Sequence, residues 1–240
     1  MRSPSLPAKI NKKIGQAMGD WKMLAGGDRV LVAVSGGIDS LATAWVLKMW
    51  RDKAPVDYEL EAVHVDNGLW KPDLGARSPA TLIAEQMRRL QIPFCSVAGW
   101  EIEGERTCFS CARNRRSQLF ELARQKGCTK LALGHHKDDL VETFFINALF
   151  GGNISTMVPK QELFAGRLSL IRILAYLDKE EVKTIAGLAG LQPVPSYCPI
   201  GEDSRRETVR NLLERIYGDI PGAKGSLFSA LGNVREGYML

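Results

Sequence analysis

Two groups of residues in this 240-residue chain have types and spacing that could do chemistry. The first is Ser35-Gly36-Gly37-Ile38-Asp39-Ser40. It follows the apolar run RVLVAV and precedes Leu41, Ala42, Trp45, Val46 and Met49, apolar residues at helical spacing. The glycines therefore fall at a strand-to-helix turn, where outward-facing backbone N–H groups suit an anion. Adjacent glycines let the backbone approach a pyrophosphate closely, and Ser35 and Ser40 can add hydroxyl donors. Asp39 beside phosphates makes sense if it shares a divalent metal, because a bare carboxylate would repel them. The turn differs from a Walker loop, which closes on Gly-Lys-Ser/Thr, and from the dinucleotide fingerprint G-x-G-x-x-G.

The second group is the pair Cys108 and Cys111. A C-x-x-C spacing sets two thiolates on one turn, as zinc sites and iron–sulfur clusters use them. A redox-active dithiol is a poorer reading, because no thioredoxin-like context surrounds the pair. The stretch RTCFSCARNRR, residues 106 to 116, holds four arginines and no acid. That pattern fits a phosphate backbone and also fits a solvated helix face. Of the other cysteines, Cys95 and Cys128 adjoin strand-like runs and read as small buried hydrophobes, which leaves Cys198. An odd total of five argues against a disulfide framework.

The elements that must position these residues alternate. Strand-like runs at 29–34, 59–65, 94–99, 130–134 and 166–174 are separated by helical stretches beginning near Asp39 and covering roughly 78–90, 112–125 and 138–150. DKEEVKTIAGLAG, 178 to 190, has an acidic start and a glycine stop, and SRRETVRNLLERIYG reads as a helical tail. Alternation of this kind predicts an α/β fold with an open parallel sheet. The expected division is a helical lead-in over 1–22, a catalytic domain over 23–202 and a C-terminal helical tail over 203–240. The chain is 45% apolar and 25% charged, ordinary for a globular protein. No apolar run reaches the roughly 18 to 20 residues that span a bilayer, and the basic N-terminus lacks the apolar core of a secretory signal. A cytoplasmic protein without membrane contact is expected. The net charge of +5 is too mild to prove a nucleic-acid partner, although residues 1–30 carry six basic and two acidic residues.

SGGIDS resembles the pyrophosphate loop of the PP-loop ATP pyrophosphatases, whose Rossmann-like fold is that of the adenine nucleotide alpha hydrolases. VHVDNGLW, 63 to 70, lies at the carboxyl end of the next strand, where open sheets bind ligands, and assigns His64, Val65 and Asp66 to the nucleotide side. GHHKDDLVETFF, 134 to 145, resembles the second motif of the tRNA-modifying branch. There Gly134 permits close approach, and Asp138 or Asp139 would hold a metal or orient the reacting group. His135 and His136 are adjacent and cannot chelate as an i, i+4 pair does; His135 and Lys137 are counted with the nucleotide site.

The cysteines narrow the resemblance to the tRNA 2-thiocytidine synthetases, which have C-x-x-C followed by arginines and a downstream cysteine, here Cys198 in PSYCPIGED. The likeness runs from about Lys9 to Val234. It implies ATP with Mg²⁺ near Asp39, and a 4Fe–4S cluster on Cys108, Cys111 and Cys198 whose fourth iron is open and carries sulfide. Zinc is the competing metal. It also implies adenylylation of the C2 oxygen of a tRNA cytidine and its replacement by sulfur from a cysteine desulfurase or free sulfide. Arg113, Arg115 and Arg116 would bind tRNA. A homodimer is compatible with this reading. Two departures stand out: Ile38 replaces the family's usual lysine, which leaves Lys137 or Arg115 to supply a cation, and Gly201 stands where a further cysteine often occurs. The alternatives are a lysidine-synthetase-like tRNA ligase, thiolation of another base or small molecule, and a non-catalytic nucleotide-binding sensor of iron or redox state.

Overall fold

The computed structural model describes residues 5–71, 77–198, 205–235 and 237. Gly201 and the expected boundary at 202–203 lie outside the described residues. Six strands form one sheet: β1 (Asp28–Ala33), β2 (Tyr58–Asp66), β3 (Phe94–Ala98), β4 (Lys130–Ala132), β5 (Lys160–Leu163) and β6 (Leu168–Ile171), in the order β3-β2-β1-β4-β6-β5. All pairings are parallel except β5 with β6. The open parallel sheet expected from the alternation is therefore present, with one antiparallel edge.

Side chains alternate along the strands as the period of two requires. Val30, Val32, Leu60 and Ala62 belong to the main core, while Leu31, Val63, Val65 and Leu131 pack on the other face. Helices cover both faces. The main core takes in α1 (Ala8–Asp20), α2 (Ile38–Lys53), α3 (Pro79–Arg89) and α6 (Lys179–Ala189). On the other face lies α4 (Cys108–Gln125), through Leu119 and Ala123. Helix α2 is buried almost all round, because α6 and α1 cover the side turned away from the sheet. A Cβ on Gly15 of α1 would stand 3.2 Å from the Trp50 ring of α2. The described part of 1–22 thus contributes Ile10, Ile14, Ala17 and Met18 to the main core.

The tail consists of α7 (Arg205–Asp219) and α8 (Ala223–Ala230), which pack on α5 (Lys137–Gly151) around Val141, Val209 and Leu213. Among the described residues no helix is long and apolar enough to cross a membrane. The chain leaves β1 towards β2 and later returns to add β4 on the other side of β1. Between the carboxyl ends of β1 and β4 the direction of winding changes, and open sheets bind ligands at such a crevice. The glycine turn follows β1 and the GHHKDD segment follows β4.

Candidate active site at the carboxyl edge of the sheet

The turn after β1 is braced by its own serines. Ser35 N–H donates to Ser40 Oγ at 3.1 Å, Ser40 Oγ–H donates to Gly37 O at 2.8 Å, and Gly37 N–H reaches Ser35 Oγ at 3.4 Å. Ser40 is buried and its hydroxyl is engaged within the loop, whereas Ser35 and Gly37 are exposed. Gly36 has φ +91°, which favours glycine, and its carbonyl accepts from Val194 N–H at 2.9 Å. Gly134 serves a close approach between two parts of the chain: a Cβ there would lie 2.6 Å from Ser40 N. The end of β4 is thereby pressed against the first turn of α2. Ile38 packs against the main core, Val65 is buried on the other face of the sheet, and Asp66 Oδ1 accepts from Gly68 N–H at 2.9 Å.

The acids converge on His136. Its Nε2 lies 3.7 Å from Asp39 Oδ1 and 3.4 Å from Asp139 Oδ2, and its Nδ1 lies 3.2 Å from Asp138 Oδ2. Its backbone N–H donates to Asp139 Oδ2 at 2.9 Å, which caps α5. Asp39 is held by Lys179, whose Nζ stands 2.8 Å from both carboxylate oxygens. Lys179 N–H also donates to Asp138 Oδ2 at 3.0 Å. The two neighbouring carboxyls are driven apart. Burial pushes Asp138 up, but the closeness of His136 and Lys224 outweighs it and holds the group below its usual range. Burial dominates at Asp139 and raises it. Behind them Glu142, nearly buried, takes Arg206 at 3.1 Å and Arg210 at 3.0 Å from α7.

His135 accepts from Arg172 Nε–H at 3.1 Å, and burial with the Arg172 charge lowers it to about 3. Arg172 itself is lowered to about 10 by burial and then by Arg116. His64 donates through Nδ1 to Val34 O at 2.8 Å, tying β2 to the end of β1, and burial lowers its pKa. Arg115 acts on His64 and Arg116 on His135, so the arginines of α4 face this edge electrostatically while remaining exposed, as does Arg113. Lys137 turns to Asp178 at 3.1 Å and lies over the Phe228 ring. The cation on Asp39 is Lys179.

Helix α4 begins four residues earlier than its apolar spacing suggests, because Thr107 and Ser110 form a reciprocal capping box. Cys108 and Cys111 consequently sit one turn apart on the helix, about 4.5 Å along its axis. Cys198 lies on a strap that starts at Gln192, whose backbone N–H and C=O are both held by the Gln86 amide, at 3.0 and 2.8 Å. None of the five cysteines forms a disulfide. Among the described residues no three His, Cys, Asp or Glu side chains form a group that could hold a metal ion. Cys108, Cys111 and Cys198 are thus not gathered into one such group, nor are Asp39, Asp138 and Asp139, although thiols as a type suit iron–sulfur or zinc and carboxylate oxygens a hard cation. A cavity of about 510 Å³ lined by Arg29, Tyr58, Glu59 and Cys128 opens at the opposite, amino edge and lies away from these groups.

Sequence reasoning did not single out Lys179, Arg172, Glu142, Arg206 or Gln86. D-K-E-E is a capping-box pattern that could have placed Lys179 at a helix mouth. Nothing local reveals that α6 packs on α2.

A PP-loop domain family model matches residues 6–215. A tRNA-cytidine(32) 2-sulfurtransferase of Anaeromyxobacter dehalogenans is 36% identical over 244 residues, 98% of this chain and 82% of that protein. The enzyme of the same name from Syntrophotalea carbinolica is 36% identical over 250 residues, covering 97% and 91% of the two chains. Among solved structures, the U34-tRNA thiolase NcsA from Methanococcus maripaludis with its [4Fe-4S] cluster has a TM-score of 0.74 at 22% identity, over 94% of this chain and 80% of that one. At that identity the likeness speaks to the fold.

Proposed function

The chain belongs to the PP-loop domain family, and from that premise we propose that it is an ATP-dependent sulfurtransferase that converts cytidine 32 of tRNA to 2-thiocytidine. The tRNA-cytidine(32) 2-sulfurtransferases to which it is similar give the substrate. The observation that carries the reading is the hydrogen bond from Val194 to Gly36. It holds the segment leading to Cys198 against the glycine turn, which supports a reading in which cysteine chemistry and nucleotide chemistry work side by side.

In this reading the N–H groups at the start of α2 would bind the phosphates of ATP, and Asp39 would hold Mg²⁺, which would supply charge for them. The cytosine O2 forms a bond to the α-phosphorus, and pyrophosphate leaves. Sulfide then bonds to C2, and AMP departs with the former O2. Mg²⁺ would offset the charge of the leaving pyrophosphate. A 4Fe–4S cluster on Cys108, Cys111 and Cys198 would supply the sulfide from its open iron, replenished by a cysteine desulfurase or free sulfide. Arg113, Arg115 and Arg116 hold tRNA phosphates at the start of α4, and the tRNA partner sets the compartment as the cytoplasm. Asp138 stays ionised and orients Lys179 and Lys224.

The test is anaerobic incubation of purified protein with ATP, Mg²⁺, sulfide and unmodified tRNA, followed by mass spectrometry of the nucleosides. One AMP and one pyrophosphate per 2-thiocytidine is the expected result. Turnover that survives replacement of all three cysteines would transfer the assignment to a lysidine-type ligase.

A further inference from the structure

Lys179 touches both acidic motifs of the site, with its Nζ on the two oxygens of Asp39 and its backbone N–H on Asp138. It occupies the first position of α6, behind the Asp178 cap, at the positive end of that helix. Its side chain is 36% exposed, so it can be reached from solvent. The neighbouring cations are engaged elsewhere: Lys137 on Asp178, Lys224 on Asp138, and Arg206 and Arg210 on Glu142. The glycine turn itself offers the uncharged Ile38.

We propose that Lys179, the cation paired with Asp39, is a phosphate-binding residue of the nucleotide site. The inference rests on the reading of the turn as an ATP site. The carboxylate oxygens bonded by Lys179 are those Asp39 must offer to Mg²⁺, so the ammonium leaves them when the nucleotide arrives with its metal. A lysine is a point charge on a flexible four-carbon stem and can re-aim without moving its helix. The β- and γ-phosphates, resting on the turn that Asp39 adjoins, are the negative charge it meets next. Asp39 thus exchanges one cation for another and is never left unpaired beside phosphates, where two like charges would repel.

The experiment measures equilibrium binding of α,β-methylene-ATP to the full chain, with and without Mg²⁺. The proteins are wild type, Lys179→Met, Lys179→Arg, Asp39→Asn and the double variant Asp39→Asn/Lys179→Met, with thermal unfolding followed on the same samples. Lys179→Met should weaken binding in the presence of Mg²⁺ about tenfold, the effect of removing one charge-assisted hydrogen bond. Lys179→Arg should stay within about threefold. The cost of Lys179→Met should be at least as large in the Asp39→Asn background, where the ammonium has no carboxylate to leave. If Lys179 only neutralises Asp39 or anchors α6, Lys179→Met costs nothing in that background, and the proposal is overturned. Should Lys179→Met alone fail to fold, the comparison of Asp39→Asn with the double variant decides, because neither contains an unpaired Asp39. Failure of the wild type to bind the analogue would overturn the ATP site itself and the role of Lys179 with it.

Discussion

Val194 lies directly against Gly36. The Val194 N–H donates to the Gly36 carbonyl at 2.9 Å, and a Cβ built on Gly36 would stand 2.9 Å from the Val194 Cβ. The strap fits over the turn because residue 36 has no side chain.

Gly36→Ala should therefore fail on two counts, a φ of +91° and a collision with Val194. A loss of about 2 to 3 kcal/mol in urea unfolding is expected, together with loss of pyrophosphate release. Gly37 is the control: its φ is −68° and the nearest atom to an added Cβ is Ser35 Oγ at 3.6 Å. Gly37→Ala should unfold within about 1 kcal/mol of the wild type.

Gly134→Ala is expected to be more damaging to folding than to chemistry. The added methyl would sit 2.6 to 2.7 Å from backbone atoms of Asp39 and Ser40, which cannot swing aside as a side chain can. Stability should fall by more than about 3 kcal/mol, and much of the protein should be insoluble on expression. A soluble variant with a wild-type unfolding midpoint would contradict the packing between β4 and α2.

Much of this was legible in the sequence, for reasons that differ by element. RVLVAV and ELEAVHV advertise buried strands because both faces of the sheet are covered. Strand β5, KQEL, was not legible: it pairs only at the edge, and its polar residues have no buried face to mark. The first turn of α4 was missed because CFSC carries no apolar stripe, and its start is set by two hydroxyl side chains. Asp39, Asp138 and Asp139 were singled out by type and neighbours, but their partner Lys179 lies 140 residues from Asp39 in sequence. No local pattern carries such a pairing; it follows from α6 lying on α2.

Replacing Cys108 and Cys111 by Ser should separate colour from fold. The helix start depends on Thr107 and Ser110, so helical content by circular dichroism should be unchanged. Iron should fall from about four per anaerobically purified chain to near zero. Thr107→Ala should do the reverse, costing about 1 kcal/mol while leaving both thiols in place. Stoichiometric zinc without visible absorption in the wild type would replace the cluster by a zinc site.

Acid should destabilise the protein through His135. Burial and Arg172 hold its pKa at about 3, against 6.5 for the free group. Between those values the unfolded chain binds a proton that the folded chain refuses, so stability is full above about pH 6.5 and falls as the pH drops towards 3. The contribution is at most about 1.4 kcal/mol per pH unit. His64 works in the same sense, and Asp139, raised by burial, opposes it at the acid end. Denaturant unfolding from pH 7 to 5 should show a shallower decline for His135→Gln than for the wild type.

Arg113 and Arg116 are both exposed and three residues apart on α4. Replacing both by Ala should weaken tRNA binding and reduce the log–log salt slope by roughly one unit for each phosphate no longer neutralised. Nucleotide binding and iron content should be unchanged. An unaltered slope would make these arginines an ordinary solvated face.

Asp178 collects lysines from three distant parts of the chain: Lys13 of α1 at 3.5 Å, Lys137 of α5 at 3.1 Å and Lys224 of α8 at 3.6 Å. A protein made from its amino end acquires these partners in order, and Lys224 comes last. While α8 is still inside the ribosome, Asp138 and Asp178 both lack a cation that the finished molecule gives them. The charge balance around the glycine turn is then incomplete, however well the sheet has already formed. Without Lys224, Asp138 and Asp178 would each be short of one cation, although Lys13 and Lys137 would still face Asp178.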